Sequence, residues 1–199
     1  MSEETRKIVF LVGFIITYTI RFYFAGLAKH NKKVVDGRVT VLEKVLLFLV
    51  IIGIFVLPLV NVFTPWFDFA AYDLPNWTGW LGTIVFGLAI ALFWRSHTDL
   101  GQNWSASLEI RDEHTLVENG VYQYIRHPMY AAFWLWGIAQ ALLLHNWICG
   151  LSYLVSFLPM YLFRVPQEEQ MMLDTFKQQY QQYMTRTGRV LPKFFPQSD

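Results

Sequence analysis

Nineteen consecutive residues, VLLFLVIIGIFVLPLVNVF at 45–63, carry no charge. An α-helix rises about 1.5 Å per residue, so about 20 apolar residues cross the hydrocarbon core of a bilayer. The stretch has counterparts elsewhere in the chain. Residues 8–28 (IVFLVGFIITYTIRFYFAGLA) hold one basic residue, Arg21, and residues 79–94 (GWLGTIVFGLAIALFW) hold no charge. Residues 130–163 hold none over a length suited to two passes, with His145-Asn146 as a polar break. The expected fold class is all-α: one integral membrane domain, residues 1–199, with about five transmembrane helices. The third span and the last two are the least defined in length. Pro58 and Pro159 fall inside spans two and five, where proline is expected to kink a helix.

Composition supports the block pattern. The chain is 54% hydrophobic and 16% charged, against about 25% charged in soluble domains. The first block is too long for a signal-peptide core and no small-x-small cleavage site follows it, so it reads as a span. A single cysteine, Cys149, forbids an internal disulfide and a cysteine-rich metal site. The net charge of +1 says nothing about nucleic acid, but no run of clustered Lys and Arg with interleaved aromatics resembles a nucleic-acid surface. There is no Gly-x-Gly-x-x-Gly, Walker, Gly-x-Ser-x-Gly, Cys-x-x-Cys or His-Glu-x-x-His pattern, which leaves soluble nucleotide-binding folds and common hydrolase sites without support.

Basic residues set an orientation. Lys29, Lys32, Lys33, Arg38 and Lys44 fall in the first connection, and Arg95, Arg111 and Arg126 in the third. Arg164, Lys177, Arg186, Arg189 and Lys193 follow the last span. The second connection, about 64–78, has Asp68 and Asp73 but no Lys or Arg. Connections one and three and the tail are therefore expected in the cytoplasm. Arg6 and Lys7 weakly oppose that assignment. An odd number of spans fits the alternation, and chemistry is expected where the 95–129 segment and the tail meet the membrane surface.

Four features in those segments could carry chemistry. In GVYQYIRHPMYAAFWLW (120–136), Pro128 suits the first turn of a helix, which places Arg126-His127 at its mouth. Alone, this cluster reads as an interfacial anchor. Arg164, Glu168 and Glu169 stand where the last span leaves the bilayer, and Arg164 and Glu168 share a helix face. Alone they read as a surface ion pair, although an Arg in a low-dielectric setting is also a natural carboxylate receptor. His114-Thr115-Leu116-Val117 with Tyr122 is weak by itself. DLGQNW (99–104) offers a cap at Asp99 and a turn at Gly101, and Asn119-Gly120 is a second turn signal. PQEEQMMLDTFKQQYQQYM reads as a separate amphipathic helix after the last span, with Met171, Met172, Phe176, Tyr180, Tyr183 and Met184 near helical spacing. Its plain reading is a surface helix on the membrane or the loop.

Taken together, LVENGVYQYIRHPMY, a helical hairpin and RVPQEEQMMLDTFKQQYQQYMTRTGRVLP resemble the isoprenylcysteine carboxyl methyltransferase family over about residues 95–195. The carrying features are Gly-x-Tyr, then Arg-His-Pro-x-Tyr, two closely paired helices, Arg with a Glu pair, and a Tyr-x-x-Tyr helix before a Pro. The short chain is similar to the prokaryotic branch, which implies a cytoplasmic membrane. The resemblance implies S-adenosylmethionine as methyl donor, S-adenosylhomocysteine as product, and the carboxylate of an isoprenylated cysteine as acceptor. Prokaryotes generally lack prenylated proteins of the eukaryotic kind, so the acceptor reading extends to other lipid-linked carboxylates. By position, His114, Thr115, Leu116, Val117, Tyr122, His127, Pro128, Met129, Tyr130 and Glu168 would bind the donor, and Arg164 the acceptor carboxylate. Ser107 stands where eukaryotic relatives carry a donor-contacting Gln. Membrane lipids are the other expected partners.

Three alternatives stay open on the sequence. A phospholipid N-methyltransferase would not need Arg164 for a carboxylate. A sterol-type reductase would use NADPH, whose phosphates want more basic residues than Arg111, Arg126 and Arg164 supply. A membrane scaffold with a vestigial pocket would bind neither cofactor.

Overall fold

The computed structural model describes residues 1–28, 34–37, 40–101, 109–111 and 115–193, with backbone alone at 28, 34–37 and 109–111. His114 and Ser107 lie outside the described residues. Among the described residues, six α-helical elements carry the fold: α1 (Glu3–Ala28), α2 (Val41–Ile51), α3 (Leu57–Phe63), α4 (Trp77–Leu100), α5 (Pro128–Leu144) and α6 (Ser152–Arg186). α2 and α3 are one passage, joined by a π-helical turn at Ile52–Val56. A short antiparallel ribbon, β1 (Val34–Gly37) with β2 (Glu109–Arg111), links the first and third connections. The expected fold class contained no strand. Among the described residues, three helices are long and apolar enough to cross a membrane: Glu3–Leu27, Val41–Phe63 and Trp77–Leu100. α5 is apolar but only 17 residues long.

Close packing is bought with small residues, as membrane helices require when apolar side chains gain nothing by leaving lipid. α4 and α5 make the most extensive pair, with α1 against both and α2 against α6. A β-carbon at Gly82 would stand 3.0 Å from Leu142, and one at Gly137 would stand 2.4 Å from Leu154. Phe10, Phe86, Trp136, Tyr153 and Phe157 fill the core between these helices. Outward faces are greasy: Ile15, Phe22, Phe48, Ile84 and Val155 are exposed. Exposed Trp66, Trp77 and Trp147 gather at the end where α3, α4 and the α5–α6 turn meet, as in an aromatic belt at a membrane–water interface.

The two prolines sit in different backbone settings. The π turn immediately precedes Pro58, and proline removes a helical donor and crowds the carbonyl four residues back. The widened turn lets Gly53 approach α6, and the Gly53 carbonyl accepts from Ser152 Oγ (2.7 Å) and Gln140 Nε2 (3.1 Å). In α6 the helical backbone continues through Pro159 and Pro166 and is interrupted at Lys177, with φ 46° and ψ −120°. Thus the fifth apolar segment runs on into the first part of the amphipathic segment, and a second helical stretch follows the break at Lys177. His145 ends α5 in the left-handed region (φ 47°), at the expected polar break.

Candidate functional site

The chain approaches α5 through two small turns. α4 ends at Gly101, whose φ of 53° suits a residue without a side chain. Asp99, one turn back, accepts from the Val121 amide (2.8 Å) and from Arg95 Nη2 (2.9 Å). Gly120 has φ 58°, and a β-carbon there would collide with the Asp99 carboxylate. The Asn119-Gly120 signal is therefore a turn pinned to the end of α4. Tyr122, buried behind it, donates to the Ser96 carbonyl (3.3 Å) and accepts at its own carbonyl from Tyr183 Oη (2.6 Å).

Pro128 opens α5, and His127 is its N-cap. The segment after α6 returns to this mouth. The Arg126 and His127 amides donate to the carbonyls of Gly188 and Arg189, both at 2.8 Å. The Arg126 side chain is 7% exposed, with Nε on Glu169 Oε1 (3.0 Å) and Nη1 on the carbonyls of Met184 and Thr187. A cation at the carbonyl end of a helix offsets the partial charge there, so Arg126 clamps the end of α6 to the start of α5. It is an internal anchor of the protein, whereas the sequence alone suggested an anchor to the membrane surface.

Glu169 is the hub of this cluster. It is 3% exposed and accepts from Arg126, from Arg189 (2.6 Å) and from His127 Nε2 (3.3 Å). Glu168, one residue earlier, accepts from Tyr130 Oη (2.6 Å) and from Arg164 Nε (2.8 Å), with His127 Nδ1 at 3.6 Å from its other oxygen. Arg164 also reaches back to Glu43 on α2, Nη1 to Oε1 at 3.2 Å. Burial opposes charge on His127, but the two carboxylates outweigh it and hold its pKa above the ordinary value. Burial likewise works against both carboxylates. For Glu168, His127, Arg164 and Tyr130 overcome it; for Glu169, His127, Arg189 and Arg126 do so; each falls to about 2. The i, i+4 pair read as a surface contact is thus part of a largely buried ion network.

A cavity of about 460 Å³ lies beside this network. Thr115, Leu116, Val117, Tyr122, His127, Pro128, Met129, Tyr130, Arg164 and Glu168 all line it. The structure therefore gathers every candidate residue that falls among those described. Met171, Met172, Tyr180 and Tyr183 line it too, so the amphipathic stretch faces the cavity instead of serving only as a surface helix. The remaining wall is apolar: Leu47, Val50, Ile51 and Ile54 of the α2 passage, and Phe93, Phe133, Trp136 and Phe157. α1 contributes Thr17, Tyr18 and Arg21.

Sequence reasoning passed over Arg21 and Glu43 as site residues, and left the role of Glu169 unassigned. Arg21 was visible as the one basic residue of an apolar block. Glu43 is 1% exposed, yet in the sequence it sits beside Lys44 at the start of a span, like an ordinary interfacial charge.

Residues 80–174 match the sequence model of the isoprenylcysteine carboxyl methyltransferase (ICMT) family. The matched residues are similar to this family, and the chain spans between about a third and a half of the length of the relatives that follow. It is 37% identical over 84 residues to the human protein-S-isoprenylcysteine O-methyltransferase, covering 42% of this chain and 30% of that protein. It is 34% identical over 114 residues to protein-S-isoprenylcysteine O-methyltransferase B of Arabidopsis thaliana, covering 56% of this chain and 54% of that one. The solved structure of the eukaryotic intramembrane Ras methyltransferase ICMT superposes with a TM-score of 0.50 at 25% identity, over 76% of this chain and 51% of its own. The family match begins in α4 and ends in α6. It takes in the Arg126–Tyr130 mouth and the Arg164–Glu169 cluster, and leaves α1 and the α2 passage outside.

Proposed function

We propose that this protein transfers a methyl group from S-adenosylmethionine to the carboxylate of an isoprenylated cysteine, or of a similar lipid-linked acceptor. The reaction takes place at the cytoplasmic face of a five-span domain in a prokaryotic membrane, with α5 and the apolar start of α6 as the last two spans. The observation that carries the reading is the two-sided cavity. Glu168, engaged by Tyr130 and Arg164, stands where a polar wall meets an apolar one, and the family match supports the assignment.

The lining suits the donor. A volume of about 460 Å³ falls in the range of small-molecule sites, about 300–1,000 Å³. Tyr122, Tyr130, Tyr180 and Tyr183 offer aromatic rings, whose faces attract cations. Glu168 offers a carboxylate to an ammonium or to ribose hydroxyls. Thr115, Leu116, Val117, His127, Pro128 and Met129 complete the donor's surroundings, and His114 adjoins them in sequence. When bound, S-adenosylmethionine supplies a methyl group on a sulfonium and leaves as S-adenosylhomocysteine.

A carboxylate is already ionised at neutral pH, so methyl transfer needs no strong base. It needs alignment and exclusion of water. Arg164 receives the acceptor carboxylate at the junction of the two walls, while the isoprenoid tail lies along Leu47, Val50 and Ile54. The test is transfer from labelled donor to a farnesylated cysteine analogue by purified protein, which is expected to yield a base-labile labelled ester. Failure of transfer with donor binding intact would remove this acceptor class. Calorimetry should show micromolar binding of S-adenosylmethionine and none of NADPH; the reverse would overturn the reading.

A further inference from the structure

We infer that Arg21, on α1, is a second acceptor-binding residue that shares the acceptor carboxylate with Arg164; this rests on the function proposed above. The first observation is the charge around Arg164. Its guanidinium already meets two carboxylates, Glu168 at 2.8 Å and Glu43 at 3.2 Å. A substrate carboxylate arriving there would be a third carboxylate on one guanidinium, in surroundings where charges are poorly screened. A further positive charge on the same cavity offsets the repulsion among the carboxylates.

Arg21 supplies it. It stands seven residues before the end of α1 at Ala28, or about 10 Å along the helix. An ionisable residue inside a span is costly and marks a substrate or ion path by default. Arg21 lines the same cavity as Arg164, and Tyr18, Arg164, Tyr153 and Tyr130 lie within its electrostatic reach.

A second observation points to an acceptor atom in this part of the cavity. Trp136 is 3% exposed and lines the cavity, and its indole N–H has no hydrogen-bond partner among the described residues. Its ring meets Tyr18 edge-on, with centroids 6.3 Å apart, and Tyr18 is one helical turn from Arg21. A buried donor without an acceptor carries a desolvation cost that a ligand oxygen would remove. The apolar wall thus carries a basic group and a neutral donor suited to a carboxylate.

The experiment compares farnesylcysteine with its carboxamide as competitors of methyl transfer, using purified protein in nanodiscs. The wild type is expected to bind the free acid at least tenfold more tightly than the amide. Arg21→Gln should bring the two within twofold, with the calorimetric Kd for S-adenosylmethionine changed less than twofold. Arg21→Lys should recover most of the preference, and a folding role served by the guanidinium alone would not produce that pattern. An acid-over-amide preference that survives in Arg21→Gln overturns the proposal. So does a wild type without that preference, or an Arg21→Lys variant that loses donor and acceptor binding in equal measure. A wild type that fails to bind the donor at all would sink the underlying methyltransferase reading instead.

Discussion

The two walls of the cavity are held in different ways. The wall built from residues 115–130 and 164–189 is a mesh of ions: Arg126, His127, Arg164 and Arg189 around Glu168 and Glu169, closed by the backbone strap from Gly188 and Arg189. The wall built from α1 and the α2 passage is held by close helix contacts, with Glu43 reaching across to Arg164. The first wall fixes the position and charge state of a few atoms. The second fixes a shape. Substitutions on the first should therefore act on donor affinity, and substitutions on the second on stability and acceptor affinity.

The largest expected effect is at the junction. Glu168→Gln keeps the shape but removes a charge that Tyr130, His127 and Arg164 all face. Disrupting a buried, hydrogen-bonded charge pair costs about 2–5 kcal/mol. The Kd for S-adenosylmethionine, measured by calorimetry, should rise by roughly 10² or more, with α-helical content unchanged. A Glu168→Gln protein with wild-type donor affinity would mean that this wall does not hold the donor.

The next test uses pH. His127 is held above its ordinary value of 6.5, so its stabilising charge is complete below about 6.5 and is lost as pH rises through the raised value. Glu168 and Glu169 are depressed to about 2 from 4.5. Their contribution is complete above about 4.5 and is lost as pH falls towards 2. The ionic wall should therefore be most stable between about pH 4.5 and 6.5, read as the melting temperature of the purified protein. His127→Gln should flatten the alkaline decline and move the acid decline to higher pH, because the carboxylates lose a partner that depresses them. An unchanged alkaline limb would remove His127 from the network.

How much of this was legible in the sequence follows the same division. Uncharged blocks have to be helical because lipid offers no partner for a backbone amide, so the helices could be read directly. His127 and Pro128 at the mouth of α5 could be read because proline announces a first turn. The break at Lys177 could not: it is a tertiary outcome in a residue with no preference for positive φ. The Glu43–Arg164 pair also could not be read, because it joins residues more than a hundred positions apart and outside any local pattern. The ribbon between Val34–Gly37 and Glu109–Arg111 escaped for the same reason, being short and long-range. Arg126 is the instructive case. Basic residues beside a span usually face lipid headgroups, whereas this one turns inward to Glu169 and the carbonyls of Met184 and Thr187.

The packed wall can be strained on its own. A β-carbon at Gly53 would lie 2.4 Å from Ser156 Oγ and 2.6 Å from the Ser152 carbonyl oxygen. Gly53→Ala must push the π turn away from α6, and overpacking of this kind costs about 1–3 kcal/mol. The melting temperature should fall and acceptor affinity weaken, while donor affinity stays within about twofold, because no residue that carries the ion mesh moves. If donor affinity falls as far as acceptor affinity, the two walls are one mechanical unit and the division fails.

The smallest effect tests whether surface charges add to the ionic wall. Arg186 Nη2 meets Glu118 Oε2 at 2.6 Å, and its side chain is 60% exposed. The contact looks like a tether holding the Thr115–Val117 edge of the cavity to α6. Exposed pairs contribute only about 0–1 kcal/mol, because water screens them and two flexible side chains must be ordered. The same edge is also fixed from within, through Asp99 to the Val121 amide and Tyr183 to the Tyr122 carbonyl. Arg186→Ala should therefore shift the melting temperature by no more than about 2–4 °C and donor Kd by less than about threefold, with the residual effect shrinking further in high salt. A loss approaching that of Glu168→Gln would mean that the exposed rim, and not the buried mesh, positions the donor.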